Sequence, residues 1–250
     1  MKIGSLEKWV RTIEHLSQNS HGLNLSELSR LMGSPSSTIH HILWTLLPYD
    51  YIYQDAETKK YSLGFKFLSI SQGMIENLDI RKLASKHLYK LRQRCKRGNI
   101  NLYILRNRRM VCIEKLEAPE GLSLSYYVGF TGDPHQSAAG KVLLSELPSE
   151  KIKAIYPNRK LPSSTRNTIT DRDKLLKELA KVRNLGYAVD NEESIEGLRC
   201  VAAPIRAGGK IIASLSINGL SFYMTMERIN LEMKELVVRT AEEISKEMRG

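Results

Sequence analysis

The sequence predicts an α+β fold in two parts, a small helical unit followed by a larger unit built around a β-sheet. Residues 1–66 hold three stretches with apolar residues at every third or fourth position, the spacing of amphipathic helices, and then two short aromatic and branched runs. Residues 79–250 hold strand-like runs near both ends with helical patterns beside them, the order of a sheet domain with flanking helices. A further helical pattern over residues 67–78 links the two parts.

The composition is that of a folded protein of one large or two modest domains. The chain has 250 residues, of which 42% are hydrophobic, and no apolar stretch approaches the roughly 18 residues of a membrane span. Cys95, Cys112 and Cys200 are odd in number, far apart and outside any C-x-x-C pair. We therefore expect a cytoplasmic protein without disulfide, metal site or cofactor, and no membrane partner.

The net charge of +11 favours a polyanionic partner, but its distribution weakens that inference. Residues 1–80 hold seven lysines and arginines against eight acidic residues, whereas residues 81–120 hold twelve against three. The basic excess therefore lies outside the small helical unit.

Two helical patterns open the chain. Residues 5–17 carry an apolar stripe typical of a core helix, consisting of Leu6, Trp9, Val10, Ile13 and Leu16. Asn24 then precedes a helix over residues 25–32, with Glu27 placed to complete a capping box. We expect Leu25, Leu28 and Leu31 to face inward and Gly33 to end this helix.

The third helical pattern, over residues 34–47, is the best candidate for a functional surface. We expect Ser34 to cap it, Pro35 to occupy its first position and Pro48 to stop it. One face is apolar, with Ile39, Ile42, Leu43 and Leu46; the other is polar and uncharged, with Ser36, Ser37, His40, His41 and Thr45. Two helices joined by a short turn form a helix-turn-helix, in which the second helix reads DNA. The alternative is an ordinary amphipathic surface helix.

A β-hairpin is predicted directly after this helix. Residues 51–54 and 60–63 are aromatic and branched runs on either side of a polar turn. A hairpin in this place is the wing of a winged helix. Lys59 and Lys60 are candidates for phosphate contacts, which position a protein on DNA; the alternative is a solvated turn. The predicted DNA-binding residues are therefore Ser34, Ser36, Ser37, Thr38, His40, His41, Lys59 and Lys60.

Residues 5–70 resemble the DNA-binding domain of the IclR family of bacterial and archaeal transcription regulators. The matching stretches are residues 25–28, 33–40, 45–46 and 61–64. At His41 the family very often has arginine, so the resemblance implies a weaker contact that depends partly on pH. It also implies that residues 67–78 form a linker helix between the two domains, and that the protein binds double-stranded operator DNA as a homodimer or homotetramer.

In the second part, Asp79 is placed to cap a helix whose outer face is basic. The patterns that follow, in chain order, predict a helix over 80–94, strands over 100–105, 110–116 and 122–128, and a loop over 129–134. Residues 135–141 then lead from a loop into a helix over 138–144, which is followed by an irregular loop over 157–164 and a helix over 171–184. The last patterns predict a strand and bend over 186–190, an acidic loop over 192–197, strands over 200–206 and 210–218, and a closing helix over 226–248.

Three stretches of this part, residues 186–190, 199–204 and 216–219, resemble the effector domain of the IclR family, which is GAF-like with a central antiparallel sheet. The resemblance implies a small-molecule effector, often a small organic acid, that modulates operator binding. The family's ligand positions fall here on Ala138, Ala139, Asp190, Cys200, Ser216 and Asn218. The family commonly has serine at Asn218, so this pocket is expected to favour a differently shaped ligand.

The sequence leaves three alternatives to a ligand sensor. A hydrolase would use Cys200 or Ser137 as the nucleophile and His135 as the base, but no nucleophile-elbow motif is present. A nucleotide site at Gly140-Lys141 fails, because the P-loop motif requires a glycine at His135 and a serine or threonine at Val142. An architectural DNA-binding protein that senses no ligand is the third alternative. We expect that the protein is not an enzyme.

Overall fold

The computed structural model describes residues 4–76, 79–120 and 126–248, and the chain divides into two compact units, residues 1–77 and 78–250. The first unit contains helices α1 (Gly4–Ser17), α2 (Leu25–Met32) and α3 (Ser36–Leu46), a hairpin of β1 (Ile52–Gln54) and β2 (Tyr61–Leu63), and α4 (Lys66–Glu76). This is a helix-turn-helix followed by a two-stranded wing, as the sequence predicts.

The capping box of α2 forms as predicted. The Asn24 side-chain oxygen accepts a hydrogen bond from the Glu27 backbone N–H at 2.9 Å, and the Glu27 carboxylate accepts one from the Asn24 N–H at 2.7 Å. Gly33 ends α2 with a φ of 56°, a left-handed conformation that favours glycine. The inward stripe differs from the expectation, because Leu31 is exposed and Met32 is buried instead. Met32 lies one turn after the buried Leu28 and therefore shares its face.

The start of α3 also differs from the expectation. Pro35, not Ser34, is the N-cap residue, and its carbonyl accepts hydrogen bonds from the N–H groups of Thr38 and Ile39. Ser34 is used to close α2 instead: its backbone N–H donates to the Ser29 carbonyl at 3.1 Å, and its own carbonyl accepts from the Ser29 hydroxyl at 2.6 Å. A 3-10 turn, Leu47–Tyr49, follows α3 around Pro48.

The wing is a regular antiparallel pair in which Ile52 faces Leu63 and Gln54 faces Tyr61. Leu23, in the turn before α2, pairs with Tyr61 on the other side, so the wing is tied to the helices by backbone hydrogen bonds. The core beneath α1, α2, α3 and the wing is apolar and centred on Leu16, Leu28, Ile39, Leu43 and Ile52.

The second unit is built on one six-stranded antiparallel sheet, whose strand order is β5-β4-β3-β8-β7-β6. The strands are β3 (Asn99–Arg106), β4 (Arg109–Leu116), β5 (Thr131–Gly132), β6 (Ala188–Asn191), β7 (Leu198–Ala207) and β8 (Lys210–Leu220). The helices are α5 (Asp79–Arg94), α6 (Ala138–Leu144), α7 (Ser149–Ile155), α8 (Arg172–Leu185), α9 (Met226–Arg228) and α10 (Lys234–Glu247).

The edge of this sheet departs from the sequence prediction. Of the strand expected over 122–128, residues 122–125 lie outside the described residues, and residues 126–128 are not a strand. The edge strand is β5 instead, which pairs with Met110 and Val111 of β4 and was expected to be loop. Helix α7 was not predicted. The closing helix contains a π-helical segment, Ile229–Met233, between α9 and α10. In the portion of the chain that the structure describes, no helix is long and apolar enough to cross a membrane.

The two faces of the sheet differ in chemistry because side chains alternate along each strand. On one face, apolar residues of β3, β7 and β8 pack against α5 and α10, and Leu102, Val201, Leu215 and Ile217 are fully buried there. The opposite face carries smaller and more polar side chains and packs against α6. The four predicted ligand positions that lie in strands, Asp190, Cys200, Ser216 and Asn218, are all on this second face.

Candidate functional site

Helix α3 presents an exposed polar face. Ile39, Leu43 and Leu46 are buried, and at about 100° per residue Ser37, His40 and His41 project away from them. These three side chains are exposed, as is Ser36, whose hydroxyl donates to the Ser29 hydroxyl at 3.3 Å. Four of the predicted DNA-binding residues therefore share one accessible surface.

The other predicted DNA-binding residues are less exposed or lie outside α3. Thr38 and Ser34 are half-buried, and Thr38 lines a groove between α1 and α3 together with His41. Lys59 is exposed at the end of the hairpin turn with a φ of 56°, and Lys60 is half-buried. Trp44, which the sequence-based set omits, is 68% exposed on the same side of α3 as Ser37 and His40. The helical repeat is the signal that the sequence offered, because at about 100° per residue Trp44 falls between His40 and His41 and away from Ile39.

A small cavity lies between α6 and the polar face of the sheet. Five of the six predicted effector residues line it: Ala139, Asp190, Cys200, Ser216 and Asn218. Ala138 is fully buried but does not line it. The sequence reasoning missed the remaining lining residues, which are Tyr103, Met110, Tyr126, Ser137, Ser194 and Leu198. The free volume is about 20 Å³, the space of about one water molecule.

Strand register explains why these residues meet. Asp190 of β6 faces Cys200 of β7, Cys200 faces Asn218 of β8, and Ser216 faces Asn101 of β3. Directly opposed residues of antiparallel strands point to the same face, so a row of polar side chains crosses four strands beneath α6. The β8 sequence encodes half of this row through its alternation of Ser214, Ser216 and Asn218 with Leu215 and Ile217.

Several members of this row have no hydrogen-bond partner among the described residues. The buried atoms without a partner are both side-chain amide atoms of Asn101, the Ser214 hydroxyl and the Asn218 side-chain oxygen. Ser216 donates a long hydrogen bond of 3.5 Å to the Asn101 carbonyl. A buried polar group without a partner costs about 1–3 kcal/mol, so this row is a poor structural core. Of these unpartnered groups, the Asn218 oxygen lines the cavity and is available to a ligand.

Asp190 is held rigidly at the cavity wall. Its two oxygens accept hydrogen bonds from the Glu193 backbone N–H at 2.6 Å and from the Ser194 hydroxyl at 2.7 Å. Burial raises the pKa of Asp190, while those two hydrogen bonds and the charge of Lys141 act in the opposite direction. A carboxylate offers about four acceptor sites, so Asp190 is able to accept a further donor from a ligand.

The loop before α6 is fixed by a second buried network. His135 is fully buried, and its ring nitrogens lie 2.7 Å from an Asp133 carboxylate oxygen and 2.9 Å from the Pro162 carbonyl. The Tyr156 hydroxyl donates to the same Asp133 oxygen at 2.6 Å. A Cβ at Gly140 would overlap the Pro134 backbone, so glycine permits the close approach of α6 to this loop.

The acid-base partners that a hydrolase requires are engaged elsewhere. Both ring nitrogens of His135 are bonded to other groups, and the Ser137 hydroxyl caps α6 by accepting from the Gly140 N–H at 3.1 Å. Burial raises the pKa of the Cys200 thiol, and Asp190 raises it further, which disfavours the nucleophilic thiolate. His135 thus holds the loop before α6, Ser137 caps α6, and Cys200 lines the cavity as a neutral thiol. Within residues 4–76, 79–120 and 126–248, no His, Cys, Asp and Glu side chains cluster as metal ligands.

Asp133 makes a testable contribution to acid stability. Burial acts to raise its pKa, but the hydrogen bonds from His135 and Tyr156 outweigh burial, so the pKa of Asp133 is lowered below 3.8. A depressed folded-state pKa stabilises the protein above the unfolded-state value, and this stabilisation is lost as pH falls through the folded-state pKa. We therefore expect Asp133→Asn to lower the free energy of unfolding at pH 7. The difference in this free energy between the variant and wild type should shrink below about pH 4.

Urea unfolding between pH 7 and pH 3 measures this difference. Asp173→Asn is the control, because Asp173 is an exposed aspartate of the same unit. A difference between Asp133→Asn and wild type that is independent of pH would contradict the interpretation.

The chain is similar to known proteins over most of its length. Residues 5–56 match the IclR helix-turn-helix domain, and residues 72–246 match the family described as bacterial transcriptional regulator IclR C-terminal. The Escherichia coli HTH-type transcriptional regulator XynR is 33% identical over 220 residues, which cover 88% of this chain and 87% of that protein.

Two crystal structures show the same architecture. The Thermotoga maritima IclR structure is 27% identical and covers 99% of both chains with a TM-score of 0.82. An IclR homologue from Microbacterium hydrocarbonoxydans, complexed with 4-hydroxybenzoate, is 23% identical and covers 98% of both chains with a TM-score of 0.82. Since matches to both of its domains together span most of the sequence, the chain belongs to the IclR family of transcription regulators.

Proposed function

We propose that this regulator binds operator DNA through the exposed face of α3 and the wing, and that a small organic acid in the cavity beneath α6 modulates that binding. The observation that carries the proposal is that polar side chains from three strands, Asp190, Cys200, Ser216 and Asn218, line this cavity, and that the Asn218 side-chain oxygen has no hydrogen-bond partner among the described residues. In this proposal residues 1–66 bind DNA, residues 67–78 link the domains and residues 79–250 bind the effector and form the oligomer. The protein acts in the cytoplasm and catalyses no reaction.

The cavity chemistry favours a hydroxy acid over a simple fatty acid. Asp190 repels a ligand carboxylate but accepts a hydrogen bond from a ligand hydroxyl, while Ser216 and the Asn218 amide are able to donate to a carboxylate. The M. hydrocarbonoxydans homologue is complexed with 4-hydroxybenzoate, which is itself a hydroxy acid. Because the free volume is small, the ligand is small and displaces lining side chains on entry.

A thermal-shift screen with small hydroxy acids and keto acids tests the sensor. A ligand that binds only the folded state raises the melting temperature, and the hit is then titrated into an operator-binding assay. We expect the hit to change DNA affinity. If no acid shifts the melting temperature of a protein that binds DNA specifically, the architectural alternative is supported and the sensor is rejected.

The hydroxyl of Ser216 is expected to contribute one hydrogen bond to the ligand. Ser216→Ala should weaken binding of the hit by roughly 1–2 kcal/mol, and DNA affinity without ligand should stay at the wild-type value. Isothermal titration calorimetry of wild type, Ser216→Ala and Asp190→Ala measures the effect. Ser214→Ala is the matched control, because Ser214 lies on the same face of β8 but does not line the cavity. Equal affinities in all four proteins would place the ligand elsewhere.

A dimer or a dimer of dimers is the proposed assembly, because a two-fold protein matches a palindromic operator. Sedimentation analysis with and without a selected duplex checks this directly.

A further inference from the structure

The recognition helix lacks the side chains that read most bases. Between Ser36 and Leu46, α3 contains no lysine, arginine, aspartate, glutamate, asparagine or glutamine. The bidentate contacts of arginine or lysine with guanine, and of asparagine or glutamine with adenine, are therefore unavailable to this helix. Among the usual base contacts, a single hydroxyl or imidazole hydrogen bond and an apolar contact with the thymine methyl group remain.

The largest exposed group on this helix is apolar. Trp44 is 68% exposed and lies seven residues after Ser37, with His40 and His41 between them on the same face. This i, i+3, i+4, i+7 spacing is the one with which homeodomain recognition helices reach bases. Successive residues of an α-helix are rotated by about 100°, so Trp44 points away from the core that Leu43 and Leu46 face.

Trp44 is also held in place by a neighbour. Its ring stacks on the His40 ring, with centroids 6.2 Å apart and planes 20° from parallel. Residues four apart are adjacent on a helix surface, so this contact limits the rotamers of both side chains before any partner arrives. A pre-ordered side chain loses less conformational entropy on binding.

We infer that Trp44, backed by His40, is a specificity-determining residue that contacts the methyl group of thymine in the major groove. The inference rests on the proposed function of α3 and adds the kind of base that this helix selects. The exposed indole is continuous with Ser37 and His40, and its apolar surface is removed from water only when a methyl group or another apolar group meets it.

The test removes the methyl groups one at a time. The full-length protein first selects duplexes from a library with a randomised core, and the preferred duplex is resynthesised with deoxyuridine at each thymine position in turn. Uracil pairs as thymine does and lacks only the methyl group. We expect wild type to lose about fourfold in affinity at one or two thymines per half-site, the value of one buried methyl group.

Trp44→Ala should bind the preferred duplex more weakly and show no further loss with deoxyuridine, whereas Trp44→Phe should retain the sensitivity. Tyr89→Ala, which removes an exposed aromatic residue from α5, outside the proposed DNA-binding surface, is the control and should keep the wild-type profile. Equal binding of thymine and uracil duplexes by wild type, or undiminished sensitivity in Trp44→Ala, would overturn the inference. Failure of wild type to select any sequence would instead overturn the proposed function of α3.

A second outcome would also overturn the inference. If Trp44→Ala dissociates the oligomer in sedimentation experiments at the concentrations used for binding, the exposed indole is covered by another copy of the chain and not by DNA. An unchanged oligomer, together with the loss of thymine sensitivity, supports the contact.

Discussion

Ser37→Glu is expected to lower affinity for the selected operator duplex at least about 100-fold, which corresponds to roughly 3 kcal/mol. Ser37 is exposed in the first turn of α3, opposite the buried Ile39 and Leu43. A carboxylate there faces the phosphates and base acceptors of the groove, and like charges in an interface cost several kcal/mol. The fold should survive, because an acidic side chain in the first turn of a helix is favourable.

The measurement is a duplex titration at fixed salt, since phosphate contacts make every DNA affinity depend on salt. Ser20→Glu is the control: it changes the charge equally, at an exposed position in the turn after α1. Circular dichroism verifies that both variants are folded. Retention of near wild-type affinity by Ser37→Glu would show that another surface reads the operator.

Local sequence signals predicted the first unit well. The Asn24–Glu27 capping box, the end of α2 at Gly33 and the wing depend on residues within a few positions of one another, and these elements formed. The predicted cap of α3 was wrong because Ser34 lies between two helices, and the hydrogen bonds that end α2 prevailed. The prediction that Leu31 faces inward was also wrong. In an eight-residue helix the apolar stripe is short, and from the sequence either Leu31 or Met32 is able to complete it.

The sheet and the cavity depended on contacts that are distant along the chain. Alternation on β8 indicated that Ser216 and Asn218 share a face, and the family resemblance supplied Asp190 and Cys200. The register that joins them to Asn101 on β3 was not visible, because nothing local fixes which strands become neighbours. The edge strand β5 has only two residues, too few for a periodic pattern.

Lys141 shows most clearly what the sequence concealed. Its place in a Gly-Lys pair suggested a phosphate-binding loop, and the motif failed because His135 and Val142 stand where it requires glycine and a serine or threonine. In the structure its side chain is 1% exposed, and its ammonium donates to the Glu193 carboxylate at 2.6 Å and to the Val189 carbonyl at 2.7 Å. The partner lies 52 residues away, so only the fold brings the pair together.

Lys141→Met is therefore expected to destabilise the second unit by about 3–5 kcal/mol, the usual cost of removing one partner of a buried ion pair. One Glu193 oxygen already has no hydrogen-bond partner among the described residues, and the substitution removes the cation from the other. Lys177→Met, at an exposed position of α8, is the matched control and should change stability by less than about 0.5 kcal/mol.

Two signals separate the two units in a urea titration. Both tryptophans, Trp9 and Trp44, lie in the first unit, so tryptophan fluorescence follows that unit, whereas circular dichroism follows both. Lys141→Met should lower the midpoint of the circular dichroism transition and leave the fluorescence transition at the wild-type midpoint. An unchanged dichroism midpoint would show that the buried pair contributes nothing to the stability of the second unit.

The dependence on pH identifies the cause of the loss. Burial raises the pKa of Glu193, while Lys141 acts to lower it, so removing the lysine should raise this pKa further. When the folded-state pKa of a carboxyl group lies above its unfolded-state value of about 4.3, the protein becomes less stable as pH rises toward and through the folded-state pKa. The deficit of Lys141→Met should consequently be larger at pH 8 than at pH 5, and Lys141→Met/Glu193→Gln should recover at least about 2 kcal/mol at pH 8. A deficit that is equal at both pH values and unaffected by Glu193→Gln would assign the loss to packing around α6 instead of to an uncompensated charge.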